Sequence, residues 1–211
     1  MKQLKLVSLQ LICLLLAGFT FASCIDDDDN NDDEITYLTG DQLMAAYASV
    51  SGSHSGKMIF NDASSAKAQV DTVDVRWDII NDSTMIIRNF PVAAVIDNIQ
   101  DGNSAMVEAL KTQADQSMVC TIKFYRLSPV LFHIAPNNLV YYVNYGGKEH
   151  KVEMAFYINN AYSFGMYNSK NTTTPTFQMS LLEGAVWVDR STTDTNPTNY
   201  IKGSKQFILY K

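Results

Sequence analysis

Cysteine is nearly absent from this chain, and the positions of its three cysteines limit what they can do. Cys13 lies in an apolar run near the start, Cys24 directly follows that run, and only Cys120 belongs to the body of the sequence. A single remaining thiol allows no intramolecular disulfide, so stability must come from a packed core. A domain of about 170 residues can supply one, because it buries roughly 70% of the surface its unfolded chain exposes. Cys120 alternates with Met118, Ile122 and Phe124 and reads as a small buried hydrophobe, whereas a reactive thiol needs an electropositive, accessible setting. Histidine is equally scarce. His54, His133 and His150 are far apart, and no pair has the spacing of a metal site, so no metal or other cofactor is expected. There is no G-x-S-x-G elbow, and the glycines between Gly52 and Lys57 lack the Walker pattern and its following helix. With no nucleophile and base pair, carboxylate pair or metal set, an enzyme is not expected.

Positive charge is also thin. Of 22 acidic residues, seven (Asp26, Asp27, Asp28, Asp29, Asp32, Asp33 and Glu34) fall in one short segment. That leaves 15 acids in the rest of the chain against 14 basic residues once Lys2 and Lys5 are set aside. The body of the protein is therefore close to neutral, and the acidity belongs to a tail. A nucleic-acid partner would need a clustered basic face to neutralise phosphates, and none is present.

What the sequence does hold begins at its first residues. Lys2 and Lys5 form a basic n-region, Leu6 to Leu16 an apolar h-region, and Ala22 and Ser23 are the small residues a signal peptidase requires before its cut. Residues 1–23 read as a lipoprotein signal peptide and Cys24 as the lipidation site. The stretch from Leu4 to Ala22 lies at the short end of the roughly 17 to 25 residues of a membrane span. Two or three acyl chains on Cys24 would hold the protein permanently, so the membrane is a partner through an N-terminal lipid anchor. Residues 24–37 read as a disordered tether: its like charges repel, and Ile25 to Leu38 reaches at most about 45 to 50 Å at ~3.3 to 3.6 Å per residue. At this point the chain resembles the surface-exposed lipoproteins of Bacteroidetes-type bacteria, in which acidic residues soon after the lipidated cysteine act as an export signal. That resemblance gives the export role to Asp26, Asp27, Asp28 and Asp29 and implies an outer-membrane, cell-surface protein.

From residue 38 onward the pattern is that of one mainly β domain. Thr39 to Val50 reads as a short helix with a capping box from Thr39 to Gln42. Ser53 to Phe60 is strand-like, and Asn61 to Gln69 a polar loop. Val73, Val75, Trp77 and Ile79 alternate with Asp74, Arg76 and Asp78, the period of a strand with one wet face. Asn81-Asp82-Ser83 turns the chain into a second arm ending at Pro91, and two short helical stretches follow between Val92 and Gln113. Strands are expected near Ser117 to Leu127, Val130 to Ile134, Leu139 to Tyr145, His150 to Ile158, Tyr162 to Tyr167, Phe177 to Leu182, Ala185 to Asp189 and Gln206 to Tyr210. Gly146-Gly147 is a tight hairpin signal, and Arg190 to Asn199 a loop. Many short strands joined by turns predict an antiparallel sandwich or calycin-like barrel with two or three short helices, and periodicity does not choose between them.

The body also resembles one group of lipoproteins, domain-of-unknown-function family 4840. The likeness rests on Tyr47, Val50, Gly52, Gly56 and Lys57, on the run Asp71 to Trp77, on Asn81-Asp82-Ser83-Thr84 and on Asn89-Phe90-Pro91-Val92. Members of the group often carry an aromatic residue where His54 stands. The resemblance implies a surface lipoprotein and supplies no activity.

One feature of the sequence has binding character. Tyr141, Tyr142, Tyr145, Tyr157 and Tyr162 fall on adjoining expected strands, where amphipathic rings suit a glycan, peptide or protein partner. Half of any such series must face the core, and Tyr is in any case an ordinary strand residue. The expected function is a non-enzymatic binding module on the cell envelope; the alternative is a barrel that encloses a small apolar ligand. Asp71-Thr72-Val73 and Asp82-Ser83-Thr84 also match the short O-glycosylation pattern of Bacteroidetes-type secreted proteins, with Thr72 and Ser83 as acceptors.

Overall fold

The two-residue alternation of the Val73 to Ile79 run recurs in eight strands, which close on themselves. The computed structural model describes residues 35–62, 71–98, 104–159, 161–169, 177–191, 200–202 and 205–211. The expected signal peptide, Cys24 and Asp26 to Asp29 lie outside the described residues. Helix α1 (Gly40–Val50) leads into β1 (Gly52–Asp62), β2 (Asp71–Asn81) and β3 (Thr84–Phe90). Two short helices, α2 (Val92–Asn98) and α3 (Ser104–Leu110), precede β4 (Gln116–Leu127) and β5 (Val130–Pro136). Then come β6 (Leu139–Tyr145), β7 (Lys148–Phe156), β8 (Phe164–Tyr167), β9 (Phe177–Val188), β10 (Tyr200–Lys202) and β11 (Lys205–Tyr210).

Strands β1, β2, β3, β4, β5, β8, β9 and β11 pair in that order, and β11 returns to β1, with Lys57 opposite Tyr210. All these pairings are antiparallel, so the protein is an eight-stranded barrel. Closure removes every edge of that sheet. The barrel is filled by the inward residues of each strand. Trp77, Phe124, Phe132, Phe177 and Phe207 are all buried, and ring contacts cross the interior between non-adjacent strands, Trp77 of β2 to Phe177 of β9 at 5.4 Å and Phe177 to Phe132 of β5 at 6.2 Å, while Phe124 lies beside its cross-strand partner Phe132 at 5.3 Å. Gly165 on β8 makes room for this packing, because a Cβ there would run into the Phe132 ring.

Strand β9 belongs to two sheets. Its first half pairs with β8 and β11 in the barrel; its second half pairs with β7 and β10 in a smaller sheet of order β6-β7-β9-β10, hereafter the flap. The sequence pattern suggested two strands separated at Glu183-Gly184. Instead one strand continues, and Gly184 is the extra residue of a bulge, since Ala155 pairs with Ala185 and Phe156 with Glu183. The three-residue β10 follows directly on the loop expected up to Asn199, in a stretch where no strand was expected.

The helices occupy both ends of the barrel. Ala46 and Val50 of α1 are fully buried, and Tyr47 donates its hydroxyl to the Ile80 carbonyl at the β2–β3 hairpin, 2.9 Å away. The expected capping box does not form. Thr39 has the extended conformation of an N-cap, but its side chain makes no capping bond, and this exposed first turn leaves its amides to solvent. At the far end Met106, Val107 and Leu110 of α3 join the same core as Leu139, Tyr141, Val143, Val152, Met154 and Val186 of the flap. One continuous core thus runs from the barrel interior under the flap.

Candidate functional site

The β6–β7 hairpin decides which tyrosines can meet a partner. Tyr145 and Lys148 pair on either side of Gly146-Gly147, whose φ angles of 58° and 83° are those of a type I′ turn. Counting back by twos places Tyr141 and Val143 on the face beneath α3 and Tyr142 on the opposite, wet face. Tyr141 is 1% exposed, so it is withdrawn from the expected binding surface; its hydroxyl has no hydrogen-bond partner among the described residues, and burial holds its ionisation well above the ordinary tyrosine range. Tyr142 is 59% exposed. Tyr145 is half-buried and stacks on His150 with ring centroids 3.8 Å apart, while its hydroxyl reaches Met106 Sδ at 3.7 Å.

Tyr157 and Tyr162 are not on strands. They stand in the loop between β7 and β8, which is why both are exposed, at 41% and 45%, together with Ile158. Their rings lie 5.4 Å apart, tilted by 54°. The loop is pinned from several directions. The Tyr157 amide donates to the Leu182 carbonyl at 2.9 Å, Ser163 Oγ donates to the Tyr157 carbonyl, and the Ile134 amide donates to the Ser163 carbonyl at 3.0 Å. Asn159 Oδ1 accepts the amides of Ala161 and Tyr162 at 3.1 and 3.2 Å. Two tyrosines and an isoleucine are therefore displayed on described residues of this loop that are held by hydrogen bonds to β5 and β9 and within the loop.

The wet face of the flap carries a second constellation. Glu153 accepts from Asn138 Nδ2 at 2.6 Å and from Lys151 Nζ at 2.9 Å. Burial works against the Glu153 charge, but Lys151 and Asn138 together outweigh it and hold the carboxyl below its ordinary range. Trp187 is the cross-strand neighbour of Glu153, and the Arg190 guanidinium lies over its ring at 4.1 Å. Neither Trp187, Arg190 nor Ile158 was singled out from the sequence. For the first two the available signal was the alternation of Glu149, Lys151 and Glu153, which marks the wet face of β7 and of whatever pairs with it.

Of the three histidines, His54 is half-buried, its Nε2 2.8 Å from the Val50 carbonyl and its ring stacked on Trp77 at 5.6 Å. His133 faces outward on β5. Its Nδ1 lies 3.0 Å from the Tyr37 hydroxyl, and burial followed by the nearby Lys123 lowers its pKa. Tyr37 thereby fastens the chain ahead of α1 to the barrel wall, aided by the Leu38 amide on the Phe124 carbonyl at 2.8 Å. His150 Nδ1 lies 2.8 Å from Asp189 Oδ2, and Asp189 Oδ1 accepts the Lys151 amide at 3.0 Å. These bonds form a clasp between β7 and the end of β9. Cys120 is fully buried and its thiol is pushed far up by burial, which keeps it unreactive. Among the described residues no three His, Cys, Asp or Glu side chains come together to hold a metal.

A cleft of about 100 Å3 lies between Ala45, Ser49, Pro129 and Tyr167, below the 300 Å3 or so at which ligand sites usually begin. Thr72 and Ser83, the expected glycan acceptors, are both exposed; Ser83 Oγ sits 3.0 Å from Asn81 Oδ1.

Residues 49–188, about two thirds of the chain, match a family described as a domain of unknown function (DUF4840). The matched stretch runs from the last turn of α1 to the end of β9. No curated protein and no solved structure matches the chain.

Proposed function

The chain belongs to the DUF4840 family, a domain of unknown function, and from that starting point we propose that it is a lipid-anchored binding module of the cell envelope. The anchor in this reading is an acylated Cys24, followed by an acidic tether whose residues Asp26 to Asp29 direct the protein to the outer face of the outer membrane. The domain binds a glycan or polypeptide partner without turning it over. The observation that carries the binding reading is the Tyr157–Ile158–Tyr162 clip: two exposed rings 5.4 Å apart on a loop held by backbone hydrogen bonds. Such rings offer flat apolar area and a polar rim at little entropic cost, which suits the faces of sugar rings and uncharged peptide segments alike. The rings that cross the barrel axis argue against the alternative of an enclosed apolar ligand.

The test is a glycan array probed with the wild-type protein and with Tyr157→Ala/Tyr162→Ala, with melting temperature as the control for folding. Binding present in the wild type and lost in the double variant, at unchanged stability, supports the reading. Binding that survives both substitutions, or a substrate consumed by the protein, overturns it. Mass spectrometry of the membrane fraction tests the anchor: a chain beginning at a lipid-bearing Cys24 is the expected species, and Cys24→Ala should accumulate as precursor. The same spectra would show added hexose on Thr72 or Ser83 if either is glycosylated.

A further inference from the structure

Closure leaves the barrel without an edge, but the flap is open. Among the described residues it ends at one side in β10, only three residues long, and shortness is itself protection against unwanted pairing. At the other it ends in β6, seven residues of sequence LVYYVNY that pair only with β7 among the described residues. Edge strands are ordinarily guarded by charge, proline or a bulge. β6 has no charged residue, no proline and no glycine, and its register with β7 runs unbroken from Leu139 opposite Met154 to Tyr145 opposite Lys148.

The direction of its backbone groups follows from the turn. In a two-residue hairpin the flanking pair, Tyr145 and Lys148, exchanges both hydrogen bonds, and bonded pairs then recur at every second residue. Leu139, Tyr141, Val143 and Tyr145 therefore spend their amides and carbonyls on β7, whereas those of Val140, Tyr142 and Asn144 point away. Two bonds confirm this parity. The Val140 carbonyl accepts Gln116 Nε2 at 2.8 Å from outside the hairpin, and on β7 the Lys151 carbonyl accepts the Asp189 amide at 2.8 Å on the side of β9. Among the described residues, the amides and carbonyls of Tyr142 and Asn144 thus have no partner, at an edge without charged residues.

We propose that β6 is a self-association edge, on which a second copy of this chain adds its own β6 antiparallel with the two Val143 residues facing each other across a two-fold axis. In that register Tyr142 of each copy lies opposite Asn144 of the other, and the two pairs exchange four hydrogen bonds. The amides and carbonyls of Tyr142 and Asn144 on each edge are then all used, and the Gln116 bond to the Val140 carbonyl is left undisturbed. A register centred on Tyr142 would instead place Asn144 against Val140, whose carbonyl Gln116 already occupies. The match is isologous, as a symmetric dimer requires. So short a strand covers far less than the roughly 1,200 Å2 of a standard interface, so the pairing is weak in dilute solution and a crosslink at the axis reads it better than mass does.

The experiment uses the full chain in mild detergent. Residues facing each other in a non-hydrogen-bonded antiparallel pair have Cα atoms roughly 4.5 Å apart, within the span a disulfide accepts. Val143→Cys should therefore give an oxidised dimer several-fold above the background of the wild-type chain, and Tyr142→Cys should not. Asn144→Pro removes only an outward amide, so it should keep the wild-type melting temperature and abolish the Val143→Cys crosslink in the double variant; Asn144→Lys serves the same purpose should the proline disturb folding. No crosslink above background, a crosslink at Tyr142 in place of Val143, or a Val143 crosslink indifferent to both Asn144 substitutions would each overturn the proposal.

Discussion

The barrel and the flap share strand β9 and one core, yet they solve the problem of exposed backbone in opposite ways. The barrel pairs every strand on both sides and turns its rings inward, so that its first requirement is shape. The flap covers one face with α3 and leaves the other to Tyr142, Lys151, Glu153, Trp187 and Arg190, with an open strand at its side. Along β9 the change takes place over a few residues, from buried Phe177, Met179 and Leu181 to half-buried Trp187 and Val188. Two buried groups of opposite charge lie at the crossing: Glu183, beside the bulge of β9, and Lys205, at the start of β11, each next in sequence to the Leu182–Gln206 pair at which the barrel pairing of the two strands ends. Features that could meet a partner thus gather on the flap and the adjoining β7–β8 loop, while the barrel carries the stability.

That division predicts a gradient of mutational cost. Trp77→Ala, inside the barrel and fully buried, should cost about 3 to 5 kcal/mol in urea unfolding. Arg76→Ala on the outer surface of the same strand should stay within about 0.5 kcal/mol. Equal losses at the two positions would abolish the contrast between filled interior and wet exterior. Gly165→Ala comes next: its new methyl group meets the Phe132 ring, and overpacking of this kind costs about 1 to 3 kcal/mol by the same measurement.

On the flap the effects shrink. The Lys151 amide, against some cost of burial and with help from His150 and Lys148, holds the Asp189 carboxyl below its ordinary range. A depressed folded value means that this stabilisation is present above the unfolded carboxylate range and disappears as pH falls through the folded value. The gap in melting temperature between wild type and Asp189→Asn should therefore be open at pH 7 and close on acidification. It should be small, under about 1 kcal/mol, because the Asp189 side chain is 40% exposed and screened by solvent. The exposed rings should cost as little as Arg76: Tyr142→Ala, Tyr157→Ala and Tyr162→Ala should each stay within about 0.5 kcal/mol in the same unfolding assay. A loss on the scale of Trp77 at any of them would make that ring part of the core and remove it from the proposed binding surface.

Most strands were legible because each needed only its own two-residue period. The faces of β2 follow directly from Val73, Val75, Trp77 and Ile79, and the β6–β7 hairpin from Gly146-Gly147. Barrel closure was not legible: the pairing of Lys57 with Tyr210 depends on residues at opposite ends of the domain, and periodicity says which way a side chain faces but not which strand lies beside it. The continuity of β9 was hidden for a related reason, since Gly184 looks like a break until β7 is seen to absorb it as a bulge. The site was half legible. Tyr141 and Tyr142 were read together, although the turn at Gly146-Gly147 and the charges of β7 already contain the parity that separates them. Tyr157 and Tyr162 were expected on strands, and their exposure follows from a loop whose order comes from Asn159, Ser163 and the Leu182 carbonyl.

The pairing of β1 with β11 also governs the order in which the protein can be made. Lys57 and Tyr210, neighbours in the finished barrel, are separated by about 150 residues of chain, so their meeting is a late and slow event in folding. A chain synthesised from its N-terminus carries β1 with one side unpaired until β11 has emerged. During that interval β1 and β9 both present bare backbone edges of the kind that recruit other chains. Loss of β11 would make that interval permanent, and the expected fate of such a fragment is aggregation.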